Sequence, residues 1–196
     1  VRVVDAEGKA IEGAKVKLAM KRHLFGFGSS VDVHMLSGLT TAISIEDQRK
    51  YRDTVDELFS RIVPENGLRV GNIDGDPKPD KPWEANGLRR NGVAVQWTLQ
   101  WAQDRKMTSR GHYLAWCYLE PWATEEVKKG GPAGLLARYD RHFKHVLPFC
   151  APYVDEWDAL NHPVPFVEAD ALYNVVGPDV YPELYAKIRP QTDKLL

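Results

Sequence analysis

A parallel α/β fold, either a doubly wound sheet or a (β/α)8 barrel, is the class this sequence predicts. Strand-like runs begin at Leu24, Arg61, Gly111 and Val154, roughly 40–50 residues apart, and each is followed by apolar residues at helical spacing. The chain has 196 residues, 43% hydrophobic and 27% charged, an ordinary globular composition. Four βα units use up that length, whereas a complete barrel typically needs about 250 residues. A barrel reading therefore covers about the first four units. An isolated half would leave a parallel edge and a core face open, so the missing half of the barrel or an oligomer partner is expected to cover them.

Taken in order, residues 1–5 and 14–18 are short β-rich runs separated by Glu7-Gly8 and Glu12-Gly13. They predict an N-terminal hairpin, too small to be stable alone and expected to pack on the neighbouring segment of the chain. This gives a hairpin module at 1–22 ahead of a barrel segment at 23–196. The predicted barrel strands are 24–31, 61–63, 111–116 and 154–160. The first helix, predicted over 46–62, sets Tyr51, Val55, Leu58, Phe59 and Ile62 on one face, and the second, over 93–105, carries Val93, Trp97 and Trp101. The third, over 134–147, carries Leu135, Tyr139, Phe143 and Val146. The last, over 181–188, places Pro182 in its first turn, where a missing N–H costs nothing, and pairs Leu184 with Ile188. Residues 71–81, rich in Gly, Pro, Asp and Lys, read as a surface loop.

With 26 basic and 27 acidic side chains the formal net charge is −1, which gives no electrostatic case for nucleic-acid or anionic-membrane binding. No apolar run approaches the roughly 18 residues of a membrane span. The two cysteines, Cys117 and Cys150, form neither a disulfide framework nor a metal-ligand spacing. Phe25-Gly-Phe-Gly28 lacks a third glycine and a following Lys-Ser/Thr, so no phosphate loop is present. No metal and no cofactor are expected.

Active sites of parallel α/β folds gather at the carboxyl ends of strands. The residues placed there are Ser29 to His34, Glu65-Asn66, then Cys117, Glu120 and Trp122, and finally Asn161-His162. Flat aromatic faces beside amides and carboxylates suit a sugar ring, among other ligands. Several nearby residues have structural readings. His23 caps the hairpin junction, His112 supports the pocket floor, and Asp158 within a strand pairs with Arg110 or a histidine. Glu65 divides evenly between scaffold and substrate contact. Cys117 reads first as a small buried hydrophobe. Trp97 and Trp101 read as core, His142 and His145 as the polar flank of the third helix, and residues 125–129 as a solvated loop or turn.

The order of local motifs is more specific. His23-Leu-Phe-Gly-Phe-Gly28, Glu65-Asn66, Arg110-Gly-His-Tyr-Leu-Ala-Trp116 with Pro121-Trp122, and Trp157-Asp-Ala-Leu-Asn161 succeed one another along the chain. This succession resembles the first half of glycoside hydrolase family 10, the xylanase family of (β/α)8 barrels. A hairpin leading into His-x-Phe-x-Phe-Gly also resembles members with a small β-module ahead of the barrel.

The resemblance implies retaining hydrolysis of β-1,4-linked plant polysaccharide such as xylan, in an extracellular or periplasmic setting. Two carboxylates about 5–5.5 Å apart do this work. The family's acid/base is the Glu after Asn in the fourth-strand motif, and here that position is His162. Its nucleophile Glu lies on a later strand, expected beyond residue 196. The family's His after the third-strand tryptophan is here Cys117, and its Lys-Trp after Glu-Asn is Arg69-Val70. Asn66, Asn161 and Trp122 match. The resemblance thus gives His162 the proton-transfer position and Asn66, Arg69, Cys117, Trp122 and Asn161 the substrate. An imidazole there alternates cation with neutral base, and a cation opposes the charge that develops in an oxocarbenium-like transition state. The alternative is a non-catalytic carbohydrate-binding relative of the same fold.

Overall fold

The computed structural model describes residues 1–20, 23–73, 90–163 and 172–196. Four parallel strands form one sheet in the order β1-β2-β3-β4. These are β1 (Gly28–Val31), β2 (Arg61–Pro64), β3 (Thr108–Trp116) and β4 (Glu156–Asn161). Between and after them come α1 (Val33–Ser37), α2 (Ile45–Leu58), α3 (Arg90–Asp104), α4 (Pro121–Cys150), α5 (Leu172–Val176) and α6 (Val180–Ile188). This is the start of a (β/α)8 barrel. Leu195 adds an isolated parallel bridge to Glu156.

Several elements differ from the sequence expectation, each for a local reason. At the N-terminus Val4 pairs antiparallel with Ala10, and the run at 14–18 has no strand partner. The Asp5 carboxylate accepts from the amides of Glu7 and Lys9 at 3.2 and 2.8 Å, closing the turn early. Residues 6–20 are exposed, with Met20 lining a shallow cleft beside Phe27 and Phe59. The first strand starts at Gly28 because residues 23–27 bend: the Phe25 amide donates to His23 Nδ1 and the Phe27 amide to the Phe25 carbonyl. The first long helix stops at Leu58. The amides of Ser60 and Arg61 both donate to the Phe27 carbonyl, at 2.9 and 3.1 Å, drawing Ile62 into the sheet. Ser44 caps that helix by accepting from the Asp47 amide. The short α1, absent from the sequence reading, is capped by Asp32, whose carboxylate accepts from the amides of His34 and Met35.

The third predicted helix is longer, beginning at Pro121 and broken at Gly131, where φ is 61°. Residues 125–129 are therefore helical rather than a loop, with Lys128 and Glu125 paired on the surface at 2.8 Å. His142 is fully buried against Phe143 instead of lying on a polar flank. Trp101 is core, as expected, but Trp97 is 39% exposed. The loop predicted over 71–81 is described only to Ile73, which is buried; the remainder lies outside the described residues.

Helices and sheet bury two clusters. The larger joins Leu99, Leu114, Leu135, Tyr139, Phe143, Trp157, Leu184 and Ile188. The smaller joins Val31, Leu36, Val55, Ile62, Trp101 and Met107. Gly111 allows the closest approach in the larger cluster, because a Cβ there would overlap the ring of Trp157 on the neighbouring strand.

The opposite face of the sheet, the interior of a closed barrel, is polar. Arg61 Nη1 lies 2.8 Å from Glu156 Oε1, and Arg61 Nε donates to Thr108 Oγ1 at 3.0 Å. Arg110 pairs with Asp158 and, at 3.4 Å, with Glu156. His112 Nδ1 lies 2.8 Å from Asp158 Oδ2. Asp158 is thus paired with both partners the sequence offered. Burial pushes its carboxyl up, but the His112 and Arg110 contacts outweigh this and hold it below the usual carboxylate range.

Two stability outcomes are expected from this packing. Gly111→Ala forces Trp157 off its position and lowers unfolding free energy by about 1–3 kcal/mol, read from urea denaturation. Asp158→Asn lowers the urea midpoint at pH 6. A depressed folded-state pKa contributes stability above the unfolded value and loses it as pH falls through the folded one. The gap between wild type and Asp158→Asn therefore narrows below about pH 4, and a gap unchanged down to about pH 2.5 contradicts the ion-pair account.

Candidate functional site

Because the strands are parallel, their carboxyl ends meet at one rim, and the sequence candidates fall along it. Asn66, just past β2, is exposed and sits at φ 48°, and its carbonyl accepts from Asn72 Nδ2 at 2.5 Å. His162, just past β4, is exposed at φ 59°. Few non-glycine residues adopt this left-handed conformation, and it persists where surrounding structure determines it. Tyr118 brings its ring to 6.5 Å from the His162 ring.

A second group is connected through a carboxylate. Trp122 Nε1 donates to Glu120 Oε2 at 3.0 Å, and Arg69 Nη1 lies 3.5 Å from Glu120 Oε1. Loops following β2 and β3 are thereby joined over the rim. The Glu120 side chain is only 10% exposed, so its charge is held among donors rather than in water. Arg138 lies over the Trp122 ring at 5.9 Å, and Tyr139 packs edge-on to it at 5.3 Å. Tyr113 is buried beneath this group. Burial, then the Glu120 charge, pushes its hydroxyl up to about 12, with Arg69 acting the other way.

Cys117 and Asn161 meet through the main chain: the Cys117 amide donates to the Asn161 carbonyl at 3.1 Å. The Cys117 side chain is fully buried, and burial pushes its thiol up to about 11, with the Tyr181 hydroxyl beside it. The resemblance gave Cys117 to the substrate, whereas its other reading, a small buried hydrophobe, matches this full burial. Tyr181 comes from α6, far away in the sequence, and carries no local signal. Glu120 did have one, as the residue before a Pro that opens a helix just past a strand end, but its partner Arg69 is visible only in the fold. Among the described residues no three His, Cys, Asp or Glu side chains are placed to hold a metal ion.

The rim thus brings together two exposed residues in left-handed backbone, a half-buried amide at Asn161, and an indole and a guanidinium held by one carboxylate. Planar rings beside amide and charged groups can stack on one face of a pyranose and hydrogen-bond its hydroxyls.

Comparison with known proteins agrees with the fold. The glycosyl hydrolase family 10 model matches residues 23–189. The native xylanase 10B of Thermotoga maritima is 21% identical, with a TM-score of 0.63 over 87% of this chain and 47% of that one. Xylanase10C of Cellvibrio japonicus, solved with xylopentaose, is 15% identical, with a TM-score of 0.64 over 88% of this chain and 34% of that one. Among curated proteins, the anti-sigma-I factor RsgI6 of Acetivibrio thermocellus is 22% identical over 96% of this chain and 22% of its own length. The chain therefore spans half or less of these solved relatives and about a fifth of that curated one. At such identities the structural likeness speaks for the barrel fold. The family model, covering most of the chain, goes further: the chain belongs to glycosyl hydrolase family 10.

Proposed function

We propose that this chain supplies part of the sugar-binding and proton-transfer machinery of a glycoside hydrolase acting on β-1,4-linked plant polysaccharide such as xylan. The observation that carries the reading is the Arg69–Glu120–Trp122 group beyond the carboxyl ends of the strands of a family 10 chain, with Asn66, Asn161 and His162 also at or just past strand ends. In this reading Trp122 stacks on a sugar ring while Asn66, Asn161 and Arg69 bind hydroxyls. Glu120 touches no substrate; it fixes the orientation of Trp122 and Arg69. His162 stands where the family's acid/base Glu stands, and the nucleophile is a carboxylate outside these 196 residues. Residues 1–22 form a separate module ahead of the barrel segment 23–196. The open side of the sheet is covered by the missing half of the barrel or by an oligomer partner.

Proton transfer through His162 has an energetic handicap. A general acid contributes about 10²–10⁴-fold to rate, but after donating its proton it must serve as base in the second half of a retaining cycle. An imidazole does both only by carrying positive charge into the step where positive charge builds on the sugar. The second reading, a non-hydrolytic sugar-binding relative, is favoured by that substitution.

Incubation of the intact protein with xylan and other β-linked oligosaccharides, read by mass spectrometry, separates the two. Shorter products that vanish in His162→Ala establish hydrolysis through this residue, and His162→Glu should then raise turnover at least about tenfold. Saturable binding without cleavage establishes the second reading. Full activity in His162→Ala places the site elsewhere. Under either reading Trp122→Ala weakens xylohexaose binding by about 1–3 kcal/mol through lost aromatic burial, measured by calorimetry on variants whose circular dichroism matches wild type.

A further inference from the structure

The outer helical layer holds a second cleft of about 510 Å³, between the end of α1, α2 and α3, that shares no residue with the rim. Its volume lies within the range of about 300–1,000 Å³ found for small-molecule sites. Trp97 and Trp101, one turn apart on α3, stack with ring centroids 6.4 Å apart and planes 19° from parallel. Trp101 is buried in the smaller core cluster, and the Arg105 guanidinium lies over its ring at 4.3 Å. Arg105 is in turn held by Asp56 at 3.3 Å. Trp97 is thus backed by a fixed stack while 39% of its own surface faces solvent. An indole in that position adds little to the core yet presents a flat apolar face with its orientation already set, which lowers the ordering cost of binding.

The charges around it balance. Arg52 and Arg105 stand against Asp53 and Asp56, two cations against two anions. Arg52 uses one N–H on the Leu36 carbonyl at 3.0 Å, and its guanidinium has others to offer. Such a lining has donors and acceptors in quantity and no net charge, so it offers no overall attraction to a strongly charged ligand. A neutral polyol with one flat C–H face fits both features.

We propose that this cleft is a second carbohydrate-binding site, taking a neutral β-linked pyranose chain with one ring stacked on Trp97 and its hydroxyls on Asp53 and Arg52. That the chain bound is the polysaccharide of the rim rests on the reading given under the proposed function; the stacking site itself does not. Its use would be to hold the polymer on the outside of the barrel while another stretch of it occupies the rim, raising the effective concentration of polymer there.

The test is a titration of the intact 15N-labelled protein with xylohexaose, following the six tryptophan indole signals, with that of Trp97 assigned from Trp97→Phe. The Trp97 indole signal should move saturably in wild type and equally in Trp122→Ala, whose rim platform is gone. Trp97→Ala, read from the indole signal of the neighbouring Trp101 as are the other Trp97 variants, should lose about tenfold in affinity at this site, the worth of one buried indole face. Trp97→Phe, which keeps a ring, should retain most of it, and Asp53→Asn should reduce it severalfold. A Trp97 signal that stays still to saturation overturns the proposal, even if Trp122 signals respond and the rim reading survives. A moving Trp97 signal beside a silent Trp122 does the reverse, keeping the outer site and removing the rim. Equal affinity in Trp97→Ala and wild type at the outer cleft also overturns it. A Trp97→Ala variant that does not fold leaves the Trp97→Phe and Asp53→Asn affinities to decide, and no change in both counts against the site.

Discussion

The architecture depends on the ion-paired lattice that crosses the inner face of the sheet. Backbone pairing between β2 and β3 is confined to two registered positions, Arg61 with Thr108 and Ile62 with Ser109. Side chains carry the connection further. Arg61 spans β3 to reach Glu156 on β4, and Arg110 and His112 on β3 both meet Asp158 on β4. Each acid thus serves two basic partners from another strand. A half-buried charge that loses its partner is far more costly than a surface pair is favourable, so the lattice acts as a register lock on three strands. Beyond it the β3–β4 register shifts between His112 and Ala115 before Trp116 pairs with Asn161 at the strand end.

The rim uses the same device with a different result. Glu120 accepts from the Trp122 indole and faces Arg69, so one carboxylate holds an aromatic plane and a cation in fixed relation. Arg69 comes from the segment after β2 and Trp122 from the first turn of α4 after β3, and the parallel pairing of β2 and β3 places both at one end of the sheet. The lattice beneath and the carboxylate above therefore form one chain of dependence, from strand register to the placement of the groups that face a ligand.

The strand positions were legible because β-branched and aromatic runs recur at the βα interval, and each predicted run overlaps most of its observed strand. What the sequence concealed was decided by contacts distant along the chain. Ile62 fits the helical period with Leu58 and Phe59, but Phe27, far earlier in the chain, captures Ser60 and Arg61 and ends the helix. His142 is as polar as His145 to a periodicity argument, yet the Tyr139–Phe143 stack lies on its helix and the ring beside Phe143 turns inward. Cys117 and Glu120 both follow β3, and position alone placed both at the rim. One is covered by Tyr181, and the other is drawn toward Arg69 by charge. Asp158 was the opposite case: a carboxylate inside a strand needs partners, and the requirement was strong enough to point to Arg110 and a histidine before any contact was visible.

The balance between hydrolysis and mere binding rests on position 162, and the rim geometry sharpens the contrast. Sugar binding needs flat faces and fixed hydrogen-bond partners, and in the proposed reading Trp122, Arg69 and Asn161 supply these with no change of charge state. Retaining hydrolysis needs in addition a group that cycles between neutral acid and anionic base beside a nascent oxocarbenium ion. Glu120 does not take that role where it stands, because its two oxygens already face the indole and the guanidinium that orient the rim. Releasing it to do chemistry would dismantle the platform that the proposed reading gives to the sugar. In that reading histidine at 162 leaves the binding half of the apparatus intact and moves the whole difficulty of catalysis onto a single proton, carried by a group of the less favourable charge type.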